Sequence, residues 1–220
     1  MKKYITLALI FLLCPLMLVG CGGKSSLEDN ISEITKIYYK GADENNNVNA
    51  SISIGSREDP YIIDGVHNKM CDFSLFAINF NKQLDVETIN VELTINGTTQ
   101  NFEMYLNPVN HFYMADLGYS LNSNDEVNIK YEEFNISFYN VSDEFAISYQ
   151  DALNIAKENL KDKLDDFYDS NTFMGECYLK ILTEYNEDFE DLFWYFSIVG
   201  QNNKALNVVI SVEDGAVLVE

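Results

Sequence analysis

Ile89-Asn90-Val91-Glu92-Leu93-Thr94-Ile95 alternates apolar and polar side chains without a break and runs into Asn96-Gly97. Successive side chains of a strand point to opposite faces, so this stretch buries one face and wets the other. Asn-Gly is the pair best suited to positive φ at both central positions of a two-residue turn. The chain then returns through Phe102, Met104 and Leu106 in the same alternation. The sequence therefore predicts a β-hairpin, and with it an all-β region around it.

Outward from the hairpin the same period persists. Phe73-Ser74-Leu75-Phe76-Ala77-Ile78-Asn79-Phe80 is apolar on nearly both faces, which suits a central strand covered on two sides. Val127, Ile129 and Tyr131 mark another strand, and Phe134, Ile136 and Phe138 one more. Upstream, Ile34 to Tyr39 reads as a strand, ended by the loop formers Asp43-Glu44-Asn45-Asn46-Asn47. Short strands at this spacing, separated by Asn, Asp, Gly and Ser, predict a β-sandwich of immunoglobulin-like architecture over residues 31–142. Only the architecture is implied: the region has no cysteine pair, and the single tryptophan, Trp194, lies outside it. His67 and His111 fall in or beside loops and read as ordinary surface residues.

At Ser148 the period changes to that of a helix. Ser148 and Asp151 form a capping pair, and Ala152, Ile155, Ala156, Leu160 and Leu164 recur at helical spacing. Three apolar segments follow, from Tyr178 to Thr183, Leu192 to Val199 and Leu206 to Val212, and Asp214-Gly215 turns into Ala216-Val217-Leu218-Val219. The opening Ile147-Ser148-Tyr149-Gln150-Asp151-Ala152 and the closing Val208 to Leu218 resemble a PepSY domain, with Ser211 where that family usually shows an aspartate. The resemblance covers residues 144–220. It implies a small α+β module, one helix on an antiparallel sheet, that binds or restrains a peptidase or peptide without catalysis. An extended peptide could add to an open edge of such a sheet. Trp194, Tyr195 and Phe196 alternate faces in the middle strand, so at least one points away from the helix and is a candidate peptide-docking side chain.

The N-terminus supplies an address. Lys2 and Lys3 precede an apolar run from Ile5 to Val19, and Gly20 stands immediately before Cys21. This resembles a bacterial lipoprotein signal, which implies cleavage before Cys21 and a lipidated Cys21 as first residue, held at the outer face of the cell membrane. Residues 1–20 are then the signal peptide, 21–30 the lipidated cysteine and a flexible tether, 31–142 the sandwich and 143–220 the PepSY-like unit. A body of about 200 residues is enough to bury real cores. Its formal charge moves from −21 to −23 when Lys2 and Lys3 leave with the signal. That balance excludes phosphate-backbone binding, so nucleic acid is no partner, and a basic peptide or divalent cation suits it better. Cys71 and Cys177 fall in different predicted units, and free buried thiols are the expected state rather than a bridge.

Motifs for catalysis are absent: there is no Gly-x-Ser-x-Gly, phosphate loop or His-Glu-x-x-His, and no cysteine or histidine set at zinc spacing. Asp165-Asp166-x-x-Asp169 and Glu187-Asp188-x-Glu190-Asp191 offer oxygen ligands but form no EF-hand loop, and read as solvated loops. The sequence thus predicts no enzyme, no cofactor and no metal site. The expected function is a lipid-anchored, non-catalytic binding or regulatory module. The alternative is an adhesive surface protein that binds through the loops of its sandwich.

Overall fold

The computed structural model describes residues 26–44, 48–63, 67–82, 84–183, 192–200 and 204–219. Among these residues eight strands form before the helix: β1 (Ile31–Ala42), β2 (Val48–Glu58), β3 (Met70–Phe80), β4 (Thr88–Ile95), β5 (Thr98–Leu106), β6 (Tyr113–Asp116), β7 (Val127–Tyr131) and β8 (Phe134–Asn140). The helix α1 (Tyr149–Leu160) follows, then the two-residue strands β9 (Tyr168–Asp169) and β10 (Thr172–Phe173). The chain ends in β11 (Gly175–Thr183), β12 (Leu192–Gly200), β13 (Ala205–Ser211) and β14 (Val217–Val219).

The hairpin forms as its residues dictate. Ile95 pairs with Thr98, and Asn96 and Gly97 take φ of 49° and 79° in the turn between β4 and β5. The architecture around it differs from the expectation. The first eight strands pair antiparallel in the order β1-β2-β3-β6-β5-β4-β7-β8, and β8 returns to β1 through Tyr39↔Asn140 to Ala42↔Ser137. They close an eight-stranded barrel, not an immunoglobulin-like sandwich of two sheets. An eight-stranded barrel is just wide enough for side chains to fill. Here Ile52, Ile54, Phe76, Ile78, Val91, Leu93, Met104, Ile129 and Ile136 do so.

The C-terminal part is corrected too. It is not a self-contained PepSY-like unit of one helix on an antiparallel sheet, because its sheet takes a strand from the barrel. The order β14-β13-β12-β11-β1 makes it continuous with the barrel, and β1 pairs parallel with β11 through Ile31↔Cys177 and Ile34↔Leu179. Helix α1 starts at the expected capping box, with the Ser148 side chain accepting from the Asp151 N–H and the Asp151 carboxylate from the Ser148 N–H. Ala152, Ala156 and Leu160 then pack against Trp194, Phe196, Val208 and Ile210.

β1 accordingly serves two cores. Ile34 and Tyr38 belong to the core under α1, whereas Tyr39 belongs to the barrel interior. Its register on β2 shifts between Thr35 and Ile37, and Gly55 of β2 lies opposite the shift, paired with Thr35. An added Cβ at Gly55 would lie 1.9 Å from the Ile34 carbonyl oxygen, so only glycine admits this approach of the two backbones.

Candidate functional site

The meeting of barrel and second sheet makes two distinct environments, at opposite ends of β1. At the Lys40 end a cleft of about 410 Å³ is lined by Lys40, Tyr139, Val141, Glu144, Phe145, Leu192, Phe193 and Ser211 to Glu213. Its volume falls within the range of small-ligand pockets. Val141, Leu192 and Val212 are buried, Phe145 and Phe193 half-buried, and Glu144 and Glu213 exposed. The cleft therefore has an apolar floor and an acidic rim. Local chemistry holds the connecting segment in place. The Ile147 N–H donates to Val212 O at 3.0 Å, and Trp194 Nε1–H donates to Ile147 O at 2.8 Å. Phe145 meets the Trp194 ring edge-on, with centroids 5.9 Å apart.

At the Glu33 end, about 24 Å away along β1, three glutamates from three strands are buried: Glu33, Glu58 and Glu176. Glu33 is paired with Lys180 at 2.7 Å, and Lys180 also donates to the Tyr61 hydroxyl at 2.7 Å. The Lys180 ammonium lies 5.3 Å and 5.6 Å from the centroids of Tyr61 and Tyr178, a cation held by two π faces and a carboxylate. Glu58 accepts from the Asn68 N–H at 2.9 Å, and Glu176 from the Tyr178 hydroxyl. Their other oxygens, Glu58 Oε1 and Glu176 Oε1, are buried without a hydrogen-bond partner. Burial, and after it the charge of Glu176, pushes the Glu58 carboxyl above its ordinary range, against the donation from Asn68. Glu58 thus keeps its proton to a higher pH than a wet glutamate.

The residues singled out in the sequence disperse. Trp194 and Phe196 are 1% and 0% exposed in the core under α1, so neither faces a partner. Tyr195 is on the opposite face, half-buried, its hydroxyl donating to Asn207 Oδ1 at 2.6 Å. Cys21 and the acidic run at 187–191 lie outside the described residues. Asp166 pairs with Lys204 at 3.1 Å, and among the described residues no three of His, Cys, Asp or Glu converge to hold a metal ion. His111 is exposed, while His67 Nδ1 lies 3.4 Å from Ser32 Oγ. Cys71 and Cys177 are both free thiols, but Cys71 is exposed rather than buried. Burial raises the Cys177 thiol far above its usual range. A maleimide reagent should accordingly modify Cys71 within minutes in the folded protein and reach Cys177 only in denaturant, as read by peptide mass. Equal labelling of both would contradict the packing of β11.

Sequence reasoning missed the glutamate cluster because each member stands on its own strand among 35 acidic residues. Nothing local marks a carboxylate that three strands will later enclose. The cleft was missed because its walls come from four separate segments of the chain, spread from Lys40 to Glu213. No protein-family model matches the chain, and neither does any curated protein or solved structure.

Proposed function

We propose that this is a lipid-anchored binding protein of the cell envelope, carried outside the membrane by Cys21, whose cleft takes an amphipathic ligand with a cationic group. A short basic peptide fits that description. The observation that carries the reading is the cleft itself: Phe145 and Phe193 above a floor of Val141, Leu192 and Val212, with Glu144 and Glu213 at the rim. The apolar floor gives affinity, the two rim carboxylates outweigh Lys40, and the body's −23 charge draws cations towards it. The polar side chains of the cleft are two exposed carboxylates, an ammonium and the hydroxyls of Tyr139 and Ser211, a set suited to holding a cationic group.

The single tryptophan makes a direct test, because Trp194 touches the cleft wall through Phe145. Terminally capped Phe-Arg and Phe-Lys, titrated into the mature protein, should change tryptophan emission saturably, and capped Phe-Glu should not. Glu213→Lys should weaken the response about fivefold, an effect that fades as salt screens it. Phe193→Asp should weaken it tenfold or more. Identical curves for capped Phe-Arg and Phe-Glu, or a Phe193→Asp variant that binds as well as the parent, would sink the assignment.

A further inference from the structure

We propose that Tyr61, Ile62 and Ile63, in the β2–β3 connection, rest on the outer leaflet of the membrane and form a second, non-covalent foot beside the lipid on Cys21. The inference rests on the anchored reading above and deepens it.

Loops ordinarily place polar side chains in water, yet Tyr61, Ile62 and Ile63 are 36%, 48% and 57% exposed in succession. Other large apolar side chains that reach solvent, such as Val86, Val109 and Tyr139, do so singly. The base of the excursion is fixed: the Asp59 N–H donates to Lys69 O at 2.9 Å, and Tyr61 is held through its hydroxyl by Lys180. Tyr61 packs edge-on to Tyr178, with centroids 6.4 Å apart. The two isoleucines follow as the more exposed pair, and Lys69 is exposed at the neck. Isoleucine below, with tyrosine and lysine at the level of the head groups, is the arrangement that suits a bilayer interface.

The position of the loop says which surface it meets. Its returning limb reaches the start of β1, where His67 Nδ1 lies 3.4 Å from Ser32 Oγ. Ser26 is six residues upstream of Ser32, and Cys21 five residues before that. Five residues span at most about 18 Å at full extension. A lipid on Cys21 therefore holds this end of the barrel, and not the other, close to the bilayer. The turn between β5 and β6 that carries Val109 lies at the opposite end, since β6 begins beside Ile78 near the end of β3. The anchor raises the local concentration of bilayer around the loop, so even a weak insertion is populated. The strong negative charge of the body favours a zwitterionic surface over an anionic one.

The test uses the lipidated protein in phosphatidylcholine vesicles, with the mass of the N-terminal peptide reporting the lipid on Cys21. In a Cys71→Ser background, an environment-sensitive fluorophore is placed at Ile62→Cys or at Val109→Cys. Addition of vesicles should shift emission to the blue at position 62 alone, and nitroxide-labelled lipid should quench position 62 at least threefold more than position 109. Equal quenching at the two positions on a lipidated chain would overturn the contact while leaving the anchor in place. A blue shift at 62 that grows with protein concentration without vesicles would assign the patch to a second copy instead. A chain without lipid on Cys21 would overturn the anchor, and this contact with it.

Discussion

Gly55→Ala is expected to cost about 3 kcal/mol of stability, the upper end of what overpacking ordinarily does. The reason is that the new methyl meets backbone and not a movable side chain: its Cβ would lie 1.9 Å from Ile34 O and 2.9 Å from Ile34 C. Relief requires β1 and β2 to separate at the register shift where β1 leaves the barrel for the second sheet. For a protein of this size such a loss lowers the melting temperature by roughly 6–12 °C. Urea unfolding followed by Trp194 emission and by far-UV circular dichroism would read the second core and the whole sheet in parallel. Both midpoints should fall together, because β1 contributes to both cores. A midpoint within error of the parent protein would mean that the two backbones do not approach as described.

The second large effect concerns pH. Burial raises the Glu58 carboxyl in the folded chain, so the folded state holds this proton more tightly than the unfolded state does. The stability linked to it is fully present below the ordinary glutamate range near 4.5 and is lost as pH rises through the raised value. Glu28 and Asp125 act in the opposite sense: both are depressed, Glu28 chiefly by Lys157 and Asp125 by its bonds to Asn96 and Asn122 against burial. Their contribution is lost only as pH falls through values below the ordinary range, outside the window from pH 5 to 8. Glu58→Gln keeps the shape and carries N–H donors at every pH. Measured at pH 5 and pH 8, it should flatten the fall in urea midpoint that sets in above the ordinary glutamate range, and at the higher pH should gain about 1–2 kcal/mol, the typical cost of an unmade buried hydrogen bond. Parallel pH profiles for parent and variant would show that Glu58 is ionised in the fold. A loss at both pH values would show that the carboxylate makes a contact an amide cannot replace.

Much of the fold was legible because it is local. Alternation placed β4, β5, β7 and β8, a run apolar on nearly both faces placed β3, Asn96-Gly97 placed the turn between β4 and β5, and the Ser148–Asp151 pair placed the start of α1. What the sequence could not distinguish was a sandwich from a barrel, since both bury alternate residues. The difference lies in one pairing, Tyr39 with Asn140, and alternation carries no information about which strand a free edge will find. The same limit misled the reading of the C-terminal part. Its helix and four last strands were visible, but its fifth strand lies more than a hundred residues upstream, paired through Ile31 and Cys177. Among the aromatic residues, Tyr195 and its neighbours were correctly expected to face opposite ways. Which face α1 would cover depended on contacts with Val208 and Ile210 that no local pattern reveals.

The sharing of β1 also bears on how the protein is made. A chain that emerges from its N-terminus delivers β1 first, yet β1 has only β2 to pair with until β8 and then β11 have followed. β8 and β11 share the edge of β1 opposite β2, through Tyr39 to Ala42 and Ile31 to Ile34, and both are long-range contacts, the kind that close late and slow the search for the native state. Through that interval the unpaired edge of β1 is a template for strands of other chains. A strong local hairpin at Asn96-Gly97 can assemble β4, β5 and β7 early, so that β8 meets β1 as part of a formed surface. Folding then finishes where the chain began.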